Sequence, residues 1–232
     1  RLLLTNDSCY FPLFPLQETL RNLTADMNGI TDSFEIEYHL MSYFILYDTE
    51  IFHSDEFTRL WQNVRMLPAK LKGLIIELYE VGMSQYYMKR GFKLAARFSA
   101  ADIHARFKKP VPLNKVNSVH RYWRELIETG KAPVLKVDLF KRFFRQNNDV
   151  SWKSVIAKTK YPIKLIEEHQ GMSNRSYRAI SGKLQVHQIY FRKDQAPLLD
   201  PNFTPYFKAE FEEPEWREYW TFLKNSPKAM RK

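Results

Sequence analysis

A layered α/β fold is what this 232-residue sequence predicts, and three observations carry that reading. Short apolar runs alternate along the chain with stretches of helical period, the pattern of strands followed by helices. The longest apolar run, 36–47, is rich in aromatic and β-branched residues and too uniformly apolar for a surface strand, so it reads as a buried central strand. Apolar residues make up 44% of the chain, enough to bury one sizeable core.

Taken in order, Leu2-Leu3-Leu4 reads as a buried strand that ends at the turn formers Asn6-Asp7-Ser8. A short helix is expected over 16–23 and a second turn-rich segment over 28–33. After the central strand, Ser54 with Asp55 and Glu56 opens a helix, since a serine N-cap and early carboxylates suit the positive helix end. Phe57, Leu60, Trp61 and Val64 form the stripe of its buried face. The longest helical pattern runs over 68–90, and Gly91 stands where a C-cap glycine belongs. A strand is expected over 92–98 and a helix over 117–129, capped by Asn117 or Ser118 and stopped at Gly130. A short strand over 134–137 and three short helices around 138–145, 151–159 and 163–169 follow. The composition turns polar after Gly171, with a strand expected at 184–191 and an aromatic-faced helix at 214–224. This divides the chain into a domain over 1–170 and an extension over 171–232.

The net charge of +10 suits a nucleic acid, an anionic membrane surface or a phosphorylated substrate, although a solvated basic surface is its plainest meaning. The single cysteine, Cys9, rules out an internal disulfide and a cysteine-rich zinc site, and points to a reducing compartment. None of the seven glycines forms a Gly-x-Gly-x-x-Gly or Walker loop. No run reaches the roughly 20 apolar residues that span a bilayer. The chain opens on Arg1, so a piece of a longer protein is expected, and the four Asn-x-Ser/Thr triplets read as chance matches.

Four places offer chemistry. The Asn6-Asp7-Ser8 turn follows a strand, where α/β sheets bind ligands; one aspartate there can hold a divalent cation that grips a diphosphate, while Asn and Ser bond ribose or phosphate oxygens. Glu80 is a candidate general base, with a solvent-facing helical residue as the alternative and Glu77 as a competitor. His39, with Ser42 and Tyr43, puts polar groups inside an apolar strand, where they are either satisfied or used. Asn117, His120 and Arg124 fall on one face of the expected helix beside Trp123, a face for an acceptor sugar or a lipid phosphate, or for ordinary packing.

The ordered segments Leu3-Leu4-Thr5-Asn6-Asp7-Ser8, Gly29-Ile30-Thr31-Asp32-Ser33, His39-Leu40-Met41-Ser42-Tyr43-Phe44 and Tyr79-Glu80-Val81-Gly82-Met83-Ser84 resemble the rhamnan-synthesis F family. Gly91-Phe92-Lys93 and the stretch from Asn117 to Ile127 continue the likeness, which covers roughly residues 1–168. The family consists of bacterial glycosyltransferases that extend rhamnose-containing polysaccharide on a lipid carrier. The resemblance implies a GT-A-like sheet with helices on both faces and a nucleotide-sugar donor such as dTDP-L-rhamnose. It implies transfer with inversion to a lipid-linked oligosaccharide or polysaccharide, at the cytoplasmic face of the bacterial plasma membrane. Asp7 then stands in for an Asp-x-Asp motif, with Mg²⁺ or Mn²⁺ as its metal, and Glu80 becomes the base. Asn6, Ser8, Gly29, Thr31, Asp32, His39, Ser42, Asn117, His120 and Arg124 are the expected binding residues, with Arg124 or Lys136 offsetting phosphate charge. Asp7 is one aspartate where that motif has two, and two departures stand out: Met27-Asn28 precedes Gly29 where aromatic residues are expected, and the nucleotide-binding strands normally found upstream of the Asp-x-Asp position are missing. The competing reading is a module that docks on glycan or anionic membrane without chemistry. Nucleic-acid binding has only charge behind it and is not expected.

Overall fold

The computed structural model describes residues 1–64, 72–106, 112–144 and 149–180. The strand expected at 184–191 and the helix at 214–224 lie outside them. The elements run β1 (Leu2–Thr5), β2 (Cys9–Tyr10), α1 (Leu16–Leu20), β3 (Met27–Ser33), β4 (His39–Leu40), β5 (Phe44–Tyr47), α2 (Thr49–Phe52) and α3 (Asp55–Asn63). Then come α4 (Lys72–Ile76), a π-helical turn (Glu77–Val81), α5 (Gly82–Lys89), β6 (Leu94–Phe98) and α6 (Ala100–Ala105). A 3-10 turn (Leu113–Lys115), α7 (Ser118–Arg121), α8 (Trp123–Glu128), β7 (Leu135–Lys136), a second π-helical turn (Phe140–Phe144), α9 (Ser151–Ile156) and α10 (Ile163–Ile180) complete the chain.

The fold is mixed α/β around a mixed sheet. β5 lies between β1 and β3 and is antiparallel to both; β6 pairs parallel with β3, and β4 pairs antiparallel with the end of β3. Side chains of alternating residues leave the sheet on opposite faces. Met27, Ile45 and Tyr47 pack against Leu60 of α3 and Met83, Tyr86 and Tyr87 of α5. Ile30, Phe44 and Leu46 pack against Ile103, Val119 and Leu126 of α6 to α8. Helices therefore cover both faces, and each fully buried apolar side chain contributes about 1.5–3 kcal/mol. A further cluster, with Tyr10, Leu135, Phe140, Trp152 and Ile166, gathers where β2 pairs with β7.

Five expectations change. Residues 28–33 are no turn: all seven residues of β3 are buried. Their turn-forming side chains are consumed by tertiary bonds. Asn28 bonds both the N–H and the carbonyl of Ala25. The Thr31 hydroxyl pairs with the Tyr43 hydroxyl, and Asp32 accepts from the Ala100 N–H. β1, expected to be buried, is half-buried, because among the described residues it pairs on one side only. The central strand 36–47 is broken into β4 and β5. The helix over 117–129 breaks at Tyr122, where φ −117° and ψ 26° leave the helical region. Val119 and Leu126 serve the sheet while Trp123 and Ile127 serve the cluster under β2 and β7, so α8, past the break, touches both clusters. The polar composition after Gly171 does not end a helix, since α10 runs from Ile163 to Ile180 across residue 170.

Candidate functional site

β1 and β3 both run antiparallel to β5, and β6 runs parallel to β3. The carboxyl ends of β1, β3 and β6 therefore share one edge of the sheet with the amino end of β5. This edge carries the Asn6-Asp7-Ser8 turn, Asp32, Ser42, Tyr43 and the start of α6. In α/β sheets ligands sit outside that edge.

Two backbone irregularities shape it. β3 pairs Gly29 with Ile45 and Asp32 with Leu40, so its residues Ile30 and Thr31 lie opposite the four residues Met41 to Phe44. The extra length is a bulge, a device that re-aims a strand's side chains. It swings Ser42 towards the helical layer. There, the π-helical turn Glu77–Val81 inserts one residue into the run from α4 to α5. Gly82 makes the turn feasible: its N–H bonds the Glu77 carbonyl, and a Cβ at Gly82 would lie 3.0 Å from that oxygen.

Bulge and π-turn meet at one carboxylate. Glu80 Oε2 accepts from the Ser42 backbone N–H at 3.1 Å and from the Ser42 hydroxyl. Glu80 Oε1 lies 3.5 Å from His39 Nε2, with the two side chains 16% and 3% exposed. His39 Nδ1 lies 2.8 Å from the Glu37 carbonyl and so carries a proton. That leaves Nε2 to face the carboxylate, a geometry that favours the doubly protonated ring. Burial alone would raise the Glu80 pKa, but bonds from His39 and Ser42 outweigh it and hold the group below its ordinary value. Burial alone would lower the His39 pKa, but Glu80 and the Glu37 carbonyl raise it instead. Each group favours the charged form of the other, and Glu80 keeps a solvent-reachable edge, as a proton acceptor requires. The structure thus brings together His39, Ser42 and Glu80, predicted separately, and Glu80 is not a free helical surface residue.

α5 braces the arrangement. Ser84 Oγ accepts from the Leu40 N–H at 3.0 Å, and the Gln85 amide donates to the Tyr38 carbonyl at 2.6 Å. These anchors were missed in sequence, although Ser84 stands one helical turn after Glu80. Asp32 is 3% exposed and receives the Ala100 N–H at 2.5 Å, so it fastens the start of α6. Burial pushes its pKa up, against the Ala100 bond. Gly29 lies inside the sheet, where a Cβ would meet the Leu40 side chain at 3.3 Å. The Thr31 hydroxyl is spent on Tyr43 at 2.8 Å.

The opening turn is organised around a different partner. Asn6 Oδ1 accepts from the Ser8 N–H at 3.1 Å and from the Ser8 hydroxyl at 2.5 Å. Lys136 Nζ donates to Ser8 Oγ at 2.9 Å and sits 4.6 Å from the centre of the Tyr43 ring. Asp7 is exposed. The divalent cation expected here does not fit these donors. The Asn6 and Ser8 oxygens are engaged, an ammonium stands among them, and Asp7 is the lone carboxylate of the turn. Mg²⁺ and Mn²⁺ need several oxygen ligands. Among the described residues no cluster of three His, Cys, Asp or Glu side chains is placed to hold a metal.

Asn117, His120 and Arg124 do not form a common face, because the chain breaks at Tyr122 between them. Arg124 lies over the Trp123 ring, and Trp123 packs edge-on against Phe144. A separate concavity of about 200 Å³ lies between β6, α6 and α8 and mixes Arg97 and Arg106 with Asp102 and Glu125. Among the described residues no helix is long and apolar enough to cross a membrane.

A mixed sheet with helices on both faces defines a mixed α/β protein, and a cluster of His39, Ser42 and Glu80 lies at the carboxyl edge of that sheet. Residues 1–196 match the family described as Rhamnan synthesis protein F, and the chain belongs to that family. A role in rhamnan synthesis, a branch of polysaccharide biosynthesis, follows from that membership. No curated protein and no solved structure matches the chain.

Proposed function

We propose that the chain is a glycosyltransferase that moves a sugar, L-rhamnose in our reading, from a nucleotide donor such as dTDP-L-rhamnose to a growing bacterial cell-surface polysaccharide. The sheet is read as GT-A-like. The observation that carries the proposal is the meeting of Glu80, Ser42 and His39 at the carboxyl edge, where a bulge in the sheet faces a π-helical turn. Membership of the rhamnan synthesis family supports the choice of substrate class.

In the proposed reaction an acceptor hydroxyl attacks C1 of the sugar from the face opposite the diphosphate. The new C1–O bond forms as the C1–O(phosphate) bond breaks, and the configuration inverts. Glu80 takes the hydroxyl proton, and the diphosphate leaves as an anion. Ser42 and the charged His39 ring hold the carboxylate ionised and aimed. The acceptor is a lipid-linked oligosaccharide or polysaccharide at the inner face of the plasma membrane.

Sugar transfer from dTDP-rhamnose by the protein and by Glu80→Gln is the test. Removing a general base costs about 10²–10⁴ in turnover. Undiminished transfer by the variant takes Glu80 out of the mechanism.

A further inference from the structure

We infer that Lys136 and the Asn6-Asp7-Ser8 turn form a lysine-based anion site that takes the donor's diphosphate without a divalent cation. The identity of the anion rests on the glycosyl-transfer reading; the charge of the site does not.

The ammonium is placed by backbone structure. β7 pairs with β2 so that Lys136 lies opposite Cys9, and the Val137 N–H donates to the Ser8 carbonyl at 2.9 Å. Strand β2 begins directly after the turn, so this pairing carries the Lys136 side chain to the turn's hydroxyl. The Ser8 hydroxyl, the Tyr43 ring and the Cys9 thiol beside that ammonium are neutral. Burial pushes the Cys9 thiol up to about 11, against the weaker pull of Lys136 and Ser8. Tyr43, wholly buried, is raised well above the ordinary tyrosine value. Ser8 is a hydroxyl. Among the described residues no carboxylate forms an ion pair with Lys136 within 4.0 Å.

A half-buried cation without a counter-ion is unfavourable, and an anion at the turn relieves that cost. One of its three N–H groups goes to Ser8 Oγ among the described residues, so donors remain for phosphate oxygens. The same ammonium repels a divalent cation, and the exposed Asp7 carboxylate then works against the diphosphate.

Isothermal titration of the whole chain with thymidine 5′-diphosphate, in EDTA and in Mn²⁺, tests this on wild type, Lys136→Gln, Lys136→Arg and Asp7→Asn. Binding is expected in EDTA. Lys136→Gln loses about tenfold in affinity, the scale of one charge-assisted hydrogen bond. Lys136→Arg keeps most of it, and Asp7→Asn binds as well as wild type or tighter. Thermal melts show which variants fold; if Lys136→Gln does not, the EDTA and Asp7→Asn arms still decide. Binding that needs Mn²⁺ and disappears in Asp7→Asn overturns the inference, and so does binding indifferent to Lys136→Gln. Absence of binding in every arm also overturns it, while the transfer reading is judged separately by Glu80→Gln.

Discussion

Glu80 accepts a hydrogen bond from the backbone N–H of Ser42 at 3.1 Å, across 38 residues of sequence. A backbone donor cannot rotate away, so the carboxylate is aimed by the sheet itself. The Ser42 hydroxyl adds a second donor to the same oxygen.

Ser42→Ala removes the hydroxyl and keeps the N–H. Stability should fall by about 1 kcal/mol and turnover by several-fold, the size of one hydrogen bond. Ser42 is a positioning residue, so the pH profile is the telling readout. Losing a donor to the charged carboxylate raises the Glu80 pKa, and the acid limb of the rate profile should move to higher pH. An unmoved acid limb would show that Ser42 does not act through Glu80.

Pairing between Glu80 and His39 makes stability depend on pH in a defined window. The Glu80 pKa is depressed from 4.5, so its contribution is present above that value and fades as pH falls through the lower folded value. The His39 pKa is raised from 6.5, so its contribution is present below that value and fades as pH rises through the higher folded one. The pair therefore stabilises fully between pH 4.5 and pH 6.5. Glu80→Gln should cost roughly 1–3 kcal/mol in that window, with a smaller gap to wild type on the alkaline side. Melting temperatures of the two proteins from about pH 5 to about pH 9 check this, and a constant gap would contradict it.

Gly82 offers a test of the π-turn. Alanine favours helices over glycine by about 1 kcal/mol, so Gly→Ala normally stabilises an open helix position. Gly171, in α10 with nothing within 4 Å of an added Cβ, is such a position, and Gly171→Ala should raise stability by about 0.5–1 kcal/mol. At Gly82 the added Cβ meets the Glu77 carbonyl at 3.0 Å, so the turn must shift. Gly82→Ala should lose about 1–2 kcal/mol and lower transfer, because Glu80 moves with the turn. Denaturant midpoints of the two alanine variants should fall on opposite sides of wild type.

Local signals were legible where one residue's chemistry decides. Ser54 caps α3 through the Phe57 N–H, and Gly91 ends α5 with φ +86°, as expected. The strand over 2–5 was legible too, and His39 and Glu80, singled out separately, lie together in the structure. Illegible were features set by distant partners. Thr31 and Asp32 look like turn residues until Tyr43 and Ala100 satisfy them inside a strand. The break at Tyr122 falls where the chain begins to pack in two clusters at once. The opening turn was read by its aspartate, and the bond that Lys136 makes to Ser8, 128 residues away, was not legible.

Ser84 is the bond by which α5 holds the edge that carries His39. Its hydroxyl accepts the Leu40 N–H at 3.0 Å, and both residues are wholly buried. Ser84→Ala leaves that N–H without its acceptor, which costs about 1–3 kcal/mol where water cannot reach. Ser84→Thr keeps an acceptor but adds a methyl group to a packed site, so it should cost less only if the layer yields. The local effect is the sharper measure. Leu40 lies directly after His39 in β4, so losing its anchor should loosen the strand before the rest of the sheet. Hydrogen exchange at the Leu40 amide should quicken in Ser84→Ala by more than at Ile45, which is held by β1 and β3 on both sides. Equal quickening at both amides would mean that Ser84 supports global stability alone and does not hold the His39 edge.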